Sequence, residues 1–314
     1  MSQPIKVGTR GSELAMCQTH EIIALMKEHH PALEFEIVEI TTHGDRFQEV
    51  PIAQMEEHID RGIFNSALEE AILSGHVDFA TCSFKDVESD LPSGIEAVSV
   101  GRRVDVRDVL VTRHECGLRE LRPGAVLATS SPRRTSQLQA FRPDLRFHPL
   151  RGNITTRVDT AAAQFDGIIV AAAGVLRLGL EAKISEWIGT DVLLPAAAQA
   201  AMGCEYRSGR DDIAGLIASI QDGDTELCVR AEKQLLTNLS GGCFAPIGVL
   251  AKMEGGQFAI HCRIVSLDGR QKAEAESHGN AQDSDAVVAE LADNLRGQGG
   301  PEIIHATRAA LLQN

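Results

Sequence analysis

No two cysteines in this chain are spaced C-x-x-C, and the seven present (Cys17, Cys82, Cys116, Cys204, Cys228, Cys243 and Cys262) are odd in number. A zinc or dithiol site lacks its usual spacing, so reduced thiols in a reducing compartment are expected. The adjacent His261 and Cys262 lie in an apolar alternation that reads as a strand, and no metal site is expected. Long hydrophobic runs are missing too: no segment approaches the roughly 18 to 20 uninterrupted apolar residues of a membrane-spanning helix. The opening MSQPIKVGTRGSELAM has no basic start followed by an apolar run and a cleavage site, so no signal peptide and a cytoplasmic protein are expected. Positive charge is in short supply, with 30 Lys and Arg against 44 Asp and Glu, a net −14. That balance disfavours a nucleic-acid surface, which needs a basic footprint. Internal repeats, low-complexity runs and charge blocks are absent as well.

What remains is an ordinary globular composition, 43% hydrophobic and 24% charged over 314 residues, long enough for two or three domains. The first two-thirds alternate short β-branched runs (IKVGT, FEIVEI, VDFATCS, DVLVTR, AVLATS, LRFHPL, GIIVAAA) with amphipathic stretches such as SELAMCQTHEIIALMKEHH. Short strands separated by helices predict βα units and mainly parallel sheets, an α/β fold. From about residue 223 the texture changes. A helix, TELCVRAEKQLLTNL, precedes a strand pair around EGGQ, and two helical stretches finish the chain, which predicts a small α+β domain.

Ligands sit at the carboxyl ends of parallel strands, where the following helices present unpaired N–H groups and partial positive charge. Four such junctions are 9–12 (TRGS), 83–86 (SFKD), 129–134 (TSSPRR) and 151–153 (RGN). In ATSSPRR, Thr129, Ser130 and Ser131 offer hydroxyl and backbone donors, Pro132 suits a first helical turn, and Arg133 and Arg134 add fork-shaped cations. The group reads as an anion cradle, although a capped surface helix with exposed arginines would look the same. RGNITTR adds Arg151 and Arg157, and Arg177 follows the apolar GIIVAAAGVL run; arginines at successive strand ends favour a ligand with several carboxylates. Lys85 and Asp86 emerge from the mouth of a strand apolar enough to be buried. An aspartate there can bind a substrate N–H, stabilise a developing cation or move a proton, and a structural lysine–aspartate pair is the alternative. Finally, SGGCFAPIG frees the backbone before Cys243 and stiffens it afterwards with Pro246, so the sulfur suits a nucleophile or a covalent tether. The turn alone does not separate that role from an idle cysteine.

Taken in order, TRGSELAMCQ, THGD, SFKD, RDVLVT, ATSSPRR, RGNITTR, AAAGVLRLGL, LPAAAQAA and SGGCFAPIG resemble the porphobilinogen deaminase (hydroxymethylbilane synthase) family from end to end. The resemblance implies a transferase that condenses four porphobilinogen molecules head to tail, with release of ammonia, into hydroxymethylbilane. It implies growth on a dipyrromethane cofactor joined by a thioether to Cys243. Asp86 matches the catalytic aspartate, with Lys85 and Arg10 beside it. Cofactor contacts fall on Ser83, Lys85, Asp86, Thr129, Ser130, Ser131, Arg133, Arg134, Gly174 and Arg177. Substrate contacts fall on Arg10, Ser12, Gln18, Arg61, Arg151, Arg157, Ala171 and Gln199. The implied architecture is two periplasmic-binding-protein-like domains around a cleft (1–101 with 202–219, and 106–195) plus a cofactor-anchoring domain at 223–314. Crossing segments near 102–106 and 195–202 are its hinges, and it is a monomer with no metal, nucleic-acid or membrane partner.

The chain departs from the family pattern in the lid at 52–64, which is longer, more acidic and without paired glycines; Arg61 stands where its second lysine would be. Cys82 and Phe84 replace the common His and Met around Ser83, Pro132 replaces Leu, and Ala198 and Ala200 replace glycines in the second hinge. These changes leave an alternative: a family member without turnover that binds a small polycarboxylate.

Overall fold

In the computed structural model, residues 3–42, 66–88, 91–113, 115–150, 152–240 and 245–312 are described. In chain order the first elements are β1 (Ile5–Thr9), α1 (Glu13–His29), β2 (Phe35–Glu39), α2 (Ser66–Leu73), β3 (Phe79–Ser83) and β4 (Ile95–Val100). Next come β5 (Asp108–Thr112), β6 (Val126–Ala128), α3 (Pro132–Phe141), β7 (Arg146–His148), α4 (Ile154–Gln164), β8 (Gly167–Ala171), α5 (Ala172–Arg177) and β9 (Glu186–Ile188). The last are β10 (Met202–Arg207), α6 (Asp211–Ala218), α7 (Gly223–Asn238), β11 (Ile247–Glu254), β12 (Gln257–Val265), β13 (Lys272–Asn280), α8 (Ser284–Gly297) and α9 (Gly300–Leu312). They group into two compact units, Met1–Val104 with Ala200–Glu226, and Asp105–Gln199 with Leu227–Asn314.

In the first unit a five-stranded sheet has the order β2-β1-β3-β10-β4, with β10 antiparallel to both neighbours and β1 parallel to β2 and β3. Alternation along β3 sends Phe79 to one face, against Ile22 and Met26 of α1 and Ile213 and Ile217 of α6, and Ala80 to the other, against Leu68 and Ile72 of α2. Helix α1 starts where Ser12 accepts the Ala15 N–H at 3.3 Å, carries Glu13 in its first turn and ends with Lys27 and His29. The charges of Glu13 and Lys27 each sit at the helix end whose dipole favours them.

The second unit repeats this plan. Its sheet has the order β7-β6-β8-β5-β9, again with one antiparallel strand, β5, between the third parallel strand and the last. In each sheet the antiparallel strand follows a crossing of the chain: β5 after the chain enters the second unit, β10 after it returns to the first. Helix α3 packs on the face holding Leu110, Leu127 and Ile169; α4 and α5 pack on the face holding Val109, Ile168 and Val170. The expected α/β class holds, and the repeat is one of topology that the sequence does not display.

The third sheet, β11-β12-β13, is antiparallel, and its first hairpin turns at Gly255 and Gly256, both with left-handed φ (59° and 82°), as EGGQ predicts. Phe258, Ile260 and Cys262 pack beneath Leu235 of α7, Leu291 and Leu295 of α8 and Ile303 of α9. This sheet shares the second unit with β5–β9. Arg263 on β12 donates to Gln137 Oε1 on α3 and to the Val192 carbonyl, both at 3.2 Å. The turn at Gly269 lies so close to α3 that a Cβ there would stand 2.5 Å from the Ala140 nitrogen.

Candidate functional site

In the first unit the expected residues gather at the carboxyl ends of β1 and β3. Arg10 follows β1, Ser12 caps α1, and Gln18 is buried on the same helix, where its Oε1 accepts from Ser83 Oγ at 3.1 Å. Beneath them lies a buried hydroxyl cluster absent from the sequence reading: Thr19 Oγ1 is 2.7 Å from both Thr9 Oγ1 and Thr81 Oγ1, and 2.8 Å from the Ala15 carbonyl. These threonines tie the ends of both strands to α1 in a dry environment, where such a network is stiff. Ser83 leads into a single 3₁₀ turn, Phe84–Asp86, which leaves Lys85 and Asp86 half-buried. Among the described residues no side chain pairs with the Asp86 carboxylate.

In the second unit the cradle at Thr129–Ser131 is built by its own backbone. Thr129 Oγ1 accepts the Ser131 N–H at 3.2 Å, and Ser131 Oγ caps α3 by accepting the Arg134 N–H at 3.4 Å. Ser130 Oγ is fully committed, donating to the Leu150 carbonyl at 2.9 Å and accepting the Leu150 N–H at 3.0 Å. Thr129 and Ser131 act here as acceptors, so each keeps its own hydroxyl proton to donate. Arg157 Nε donates to the Gly152 carbonyl at 2.6 Å, Ala171 and Gly174 are buried around the β8–α5 junction, and Arg177 is half-buried at the end of α5.

Arg133 and Arg134 point inward, with exposures of 4% and 7%, onto Asp108, which is wholly buried. Arg133 Nη1 reaches Asp108 Oδ2 at 2.7 Å and the Leu194 carbonyl at 2.7 Å. Arg134 Nη2 reaches Asp108 Oδ1 at 2.7 Å, and its Nη1 donates to the Ile169 carbonyl at 3.0 Å. Buried Gln199 closes the group: its Oε1 accepts from Arg133 at 3.3 Å, and its Nε2 donates to the Val106 carbonyl at 2.8 Å and Asp108 Oδ1 at 3.2 Å. Burial pushes the Asp108 carboxyl up, but the two guanidiniums outweigh it and hold the group at about 2. With that carboxylate ionised, two cations and one anion leave a net positive charge beneath the cradle, in surroundings where charge acts at long range. No motif marks Asp108 by its role; the signal for it in the sequence is an acid opening a strand of Val-Leu-Val, which buries it and so demands cations.

The second-unit end of the crossing at 195–202 is held by a residue that no motif of the sequence marks. Glu232, wholly buried on α7, accepts the Ala198 N–H at 2.6 Å through Oε2 and the Ala251 N–H at 2.8 Å through Oε1. Ala198 and Ala200 adopt left-handed φ values of 59° and 74°, where an L side chain costs about 1–2 kcal/mol. Ala198→Gly relieves that strain but loses a buried methyl and frees the unfolded chain, terms of about the same total. Ala198→Gly is therefore expected within about 0.5 kcal/mol of wild type in denaturant melts, whereas Ala231→Gly, buried in helical α7, costs about 1–2 kcal/mol. Arg61, Arg151, Cys243 and the altered stretch 52–64 lie outside the described residues.

In each of the two units, taken by itself, hydroxyls, amides and cations gather at the carboxyl ends of the parallel strands, the end of an α/β sheet suited to small anionic ligands. Comparison with known sequences narrows the class. The model of the dipyrromethane cofactor-binding domain of porphobilinogen deaminase matches residues 5–215, and that of the deaminase C-terminal domain matches 226–297. Porphobilinogen deaminases of Syntrophomonas wolfei and Deinococcus deserti are each 39% identical, over 97% of this chain and 99% of their own. The chain belongs to the porphobilinogen deaminase family. Among solved structures, that of the methionine-binding protein MetQ aligns over 70% of this chain and 90% of its own, at 14% identity and a TM-score of 0.42.

Proposed function

We propose that this chain condenses four porphobilinogen molecules head to tail into hydroxymethylbilane, releasing one ammonia per addition. The observation that carries the reading is the half-buried Asp86 carboxylate, held on a 3₁₀ turn at the mouth of a buried strand and left without a partner among the described residues. When the C–N bond of the substrate's protonated aminomethyl group breaks, its electron pair leaves on nitrogen as neutral ammonia, and the positive charge passes to the ring carbon system, where the pyrrole nitrogen shares it. A fixed carboxylate beside that ring N–H stabilises the cation and holds the proton at that nitrogen. In this reading Lys85 and Arg10 complete the charged set around Asp86, and Ser12, Gln18 and Ser83 orient the incoming ring.

The donor set in the second unit fits a group bearing several carboxylates. Thr129 and Ser131 retain hydroxyl protons, Arg157 and Arg177 stand at neighbouring strand ends, and the Asp108 cluster adds its uncompensated charge from below. Arg133 and Arg134, already shared with Asp108, then act on a ligand mainly through that charge. A dipyrromethane group, when bound, supplies the terminal pyrrole carbon to which each new ring is joined. Cys243 is assigned as its thioether anchor. Of the described residues on either side of it, Leu239, Ala245 and Ile247 lie in the core of the C-terminal sheet. In this reading the chain divides functionally into 1–101 with 202–219, 106–195 and 223–314, acts as a cytoplasmic monomer, and moves about its crossings at 102–106 and 195–202.

Intact-mass spectrometry on protein purified from cells that make porphobilinogen tests the assignment. The wild type is expected to be heavier than its polypeptide by a two-pyrrole group, and Cys243→Ala to weigh what its sequence dictates. Equal, unmodified masses for both proteins would refute it.

A further inference from the structure

Gly203 lies in the middle of β10, paired with Cys82 of β3 on one side and Ser99 of β4 on the other. Its backbone is not left-handed, and no turn requires a glycine there. What requires it is the ring of Phe84: a Cβ at position 203 would overlap Phe84 Cδ2 and stand 3.0 Å from Cε2 and 3.2 Å from Cγ. Phe84 opens the turn that carries Lys85 and Asp86. Its N–H donates to the Ala201 carbonyl at 3.0 Å, and its carbonyl accepts the Val87 N–H at 3.3 Å. A 3₁₀ turn advances about 120° per residue, so a ring facing inward at 84 brings 87 back to the same side and turns 85 and 86 outward. Burial follows that rule, with Phe84 at 7% and Val87 at 2% exposed while Lys85 and Asp86 are half-buried.

We propose that Phe84 is a positioning residue whose ring, seated on the bare backbone of Gly203, sets the direction of the Asp86 carboxylate. The inference rests on the reading of Asp86 as the catalytic carboxylate. Adding a methyl at 203 lifts the ring and rotates the turn as a unit, because Phe84 is also bonded to Ala201 next to the strand. A carboxylate displaced by about 1 Å loses as much as 10²-fold in rate while distant binding contacts persist. The seat therefore acts on the chemical step and not on substrate capture.

The test compares Gly203→Ala, Phe84→Met and the double variant, all carrying their cofactor mass, in steady-state assays of ammonia release. Gly203→Ala is expected to lose roughly 10- to 100-fold in kcat with KM within about twofold of wild type. Methionine bends around an added methyl, so the double variant is expected to recover to within about threefold of Phe84→Met alone. A Gly203→Ala enzyme with normal kcat, or a loss that Phe84→Met fails to relieve, overturns the proposal. Phe84→Ala, which leaves the strand untouched, gives an independent reading: its kcat falls if the ring positions the turn and stays normal if it does not. Hydrogen exchange at the Val87 amide separates this idea from the assignment of Asp86. Exchange roughly tenfold faster in Gly203→Ala supports the seat even if wild type releases no ammonia, and unchanged exchange sinks it even if wild type is fully active.

Discussion

Asp108→Asn is expected to lower the melting midpoint by roughly 10 °C. The substitution keeps the shape of the side chain and removes the one charge that neutralises two interior guanidiniums, which approach it at 2.7 Å from either side. Breaking a buried pair by deleting one partner typically costs about 3–5 kcal/mol, because the remaining charge cannot reach water. For a folding unit of this size each kcal/mol corresponds to about 2–4 °C. Trp187, the sole tryptophan, stands on β9 in the same unit, so its emission follows the transition. The control is Asp105→Asn, which breaks a 2.6 Å pair with Arg107 whose side chains are 26% and 40% exposed and is expected to cost at most about 1 kcal/mol. Acid separates the two further. The folded Asp108 carboxyl titrates at about 2, below its ordinary 3.8, so its contribution is complete above about pH 5 and is lost as the pH falls through 3.8 towards about 2. That shift corresponds to about 2–3 kcal/mol, which the wild type gives up between about pH 5 and 2 and the Asn variant never has. Equal melting of both variants at neutral pH, or acid sensitivity in Asp108→Asn as steep as in wild type, would show that the cluster is not held by this carboxylate.

Much of the architecture was legible because periodicity and turn chemistry are local. The strand runs from IKVGT to GIIVAAA, the capped helix after Ser12 and the EGGQ hairpin all follow from short-range patterns. The antiparallel strand inserted in each sheet was not, because β5 and β10 acquire their neighbours only when the chain crosses between units. The site divides in the same way. Hydroxyls at 129–131 and the Lys85–Asp86 turn announced themselves by their place after a strand. Asp108, Glu232 and the Thr9–Thr19–Thr81 cluster did not, since a buried polar residue is recognised by partners 10 to 91 positions away. Arg133 and Arg134 show the consequence: the sequence displays two cations available to a ligand, and the fold first gives them an internal anion. The alanines at 198 and 200 show it for the backbone, where left-handed φ values explain why glycine is the residue to expect there.

Asp86→Asn is expected to reduce turnover by about 10³-fold, close to 4 kcal/mol of transition-state stabilisation, while the protein keeps its two-pyrrole mass and its melting midpoint. Stability is spared because Asp86 is half-buried and bonded to no side chain among the described residues, so the amide leaves no interior group unpaired. The bound mass is spared because the variant leaves unchanged both the sulfur assigned as anchor and the donors at Thr129 and Ser131. The reaction suffers because an amide has neither the charge to stabilise a cation on the substrate ring nor a lone-pair site basic enough to hold its proton. Asp86→Glu restores the charge on a longer arm and is expected to recover part of the loss, which a role in packing would not predict. Single-turnover ammonia release measured beside substrate affinity gives the deciding comparison: a loss confined to the rate supports the assignment. Near-normal release by Asp86→Asn would remove Asp86 from the chemistry, and weaker binding at an unchanged rate would make it a ligand contact alone.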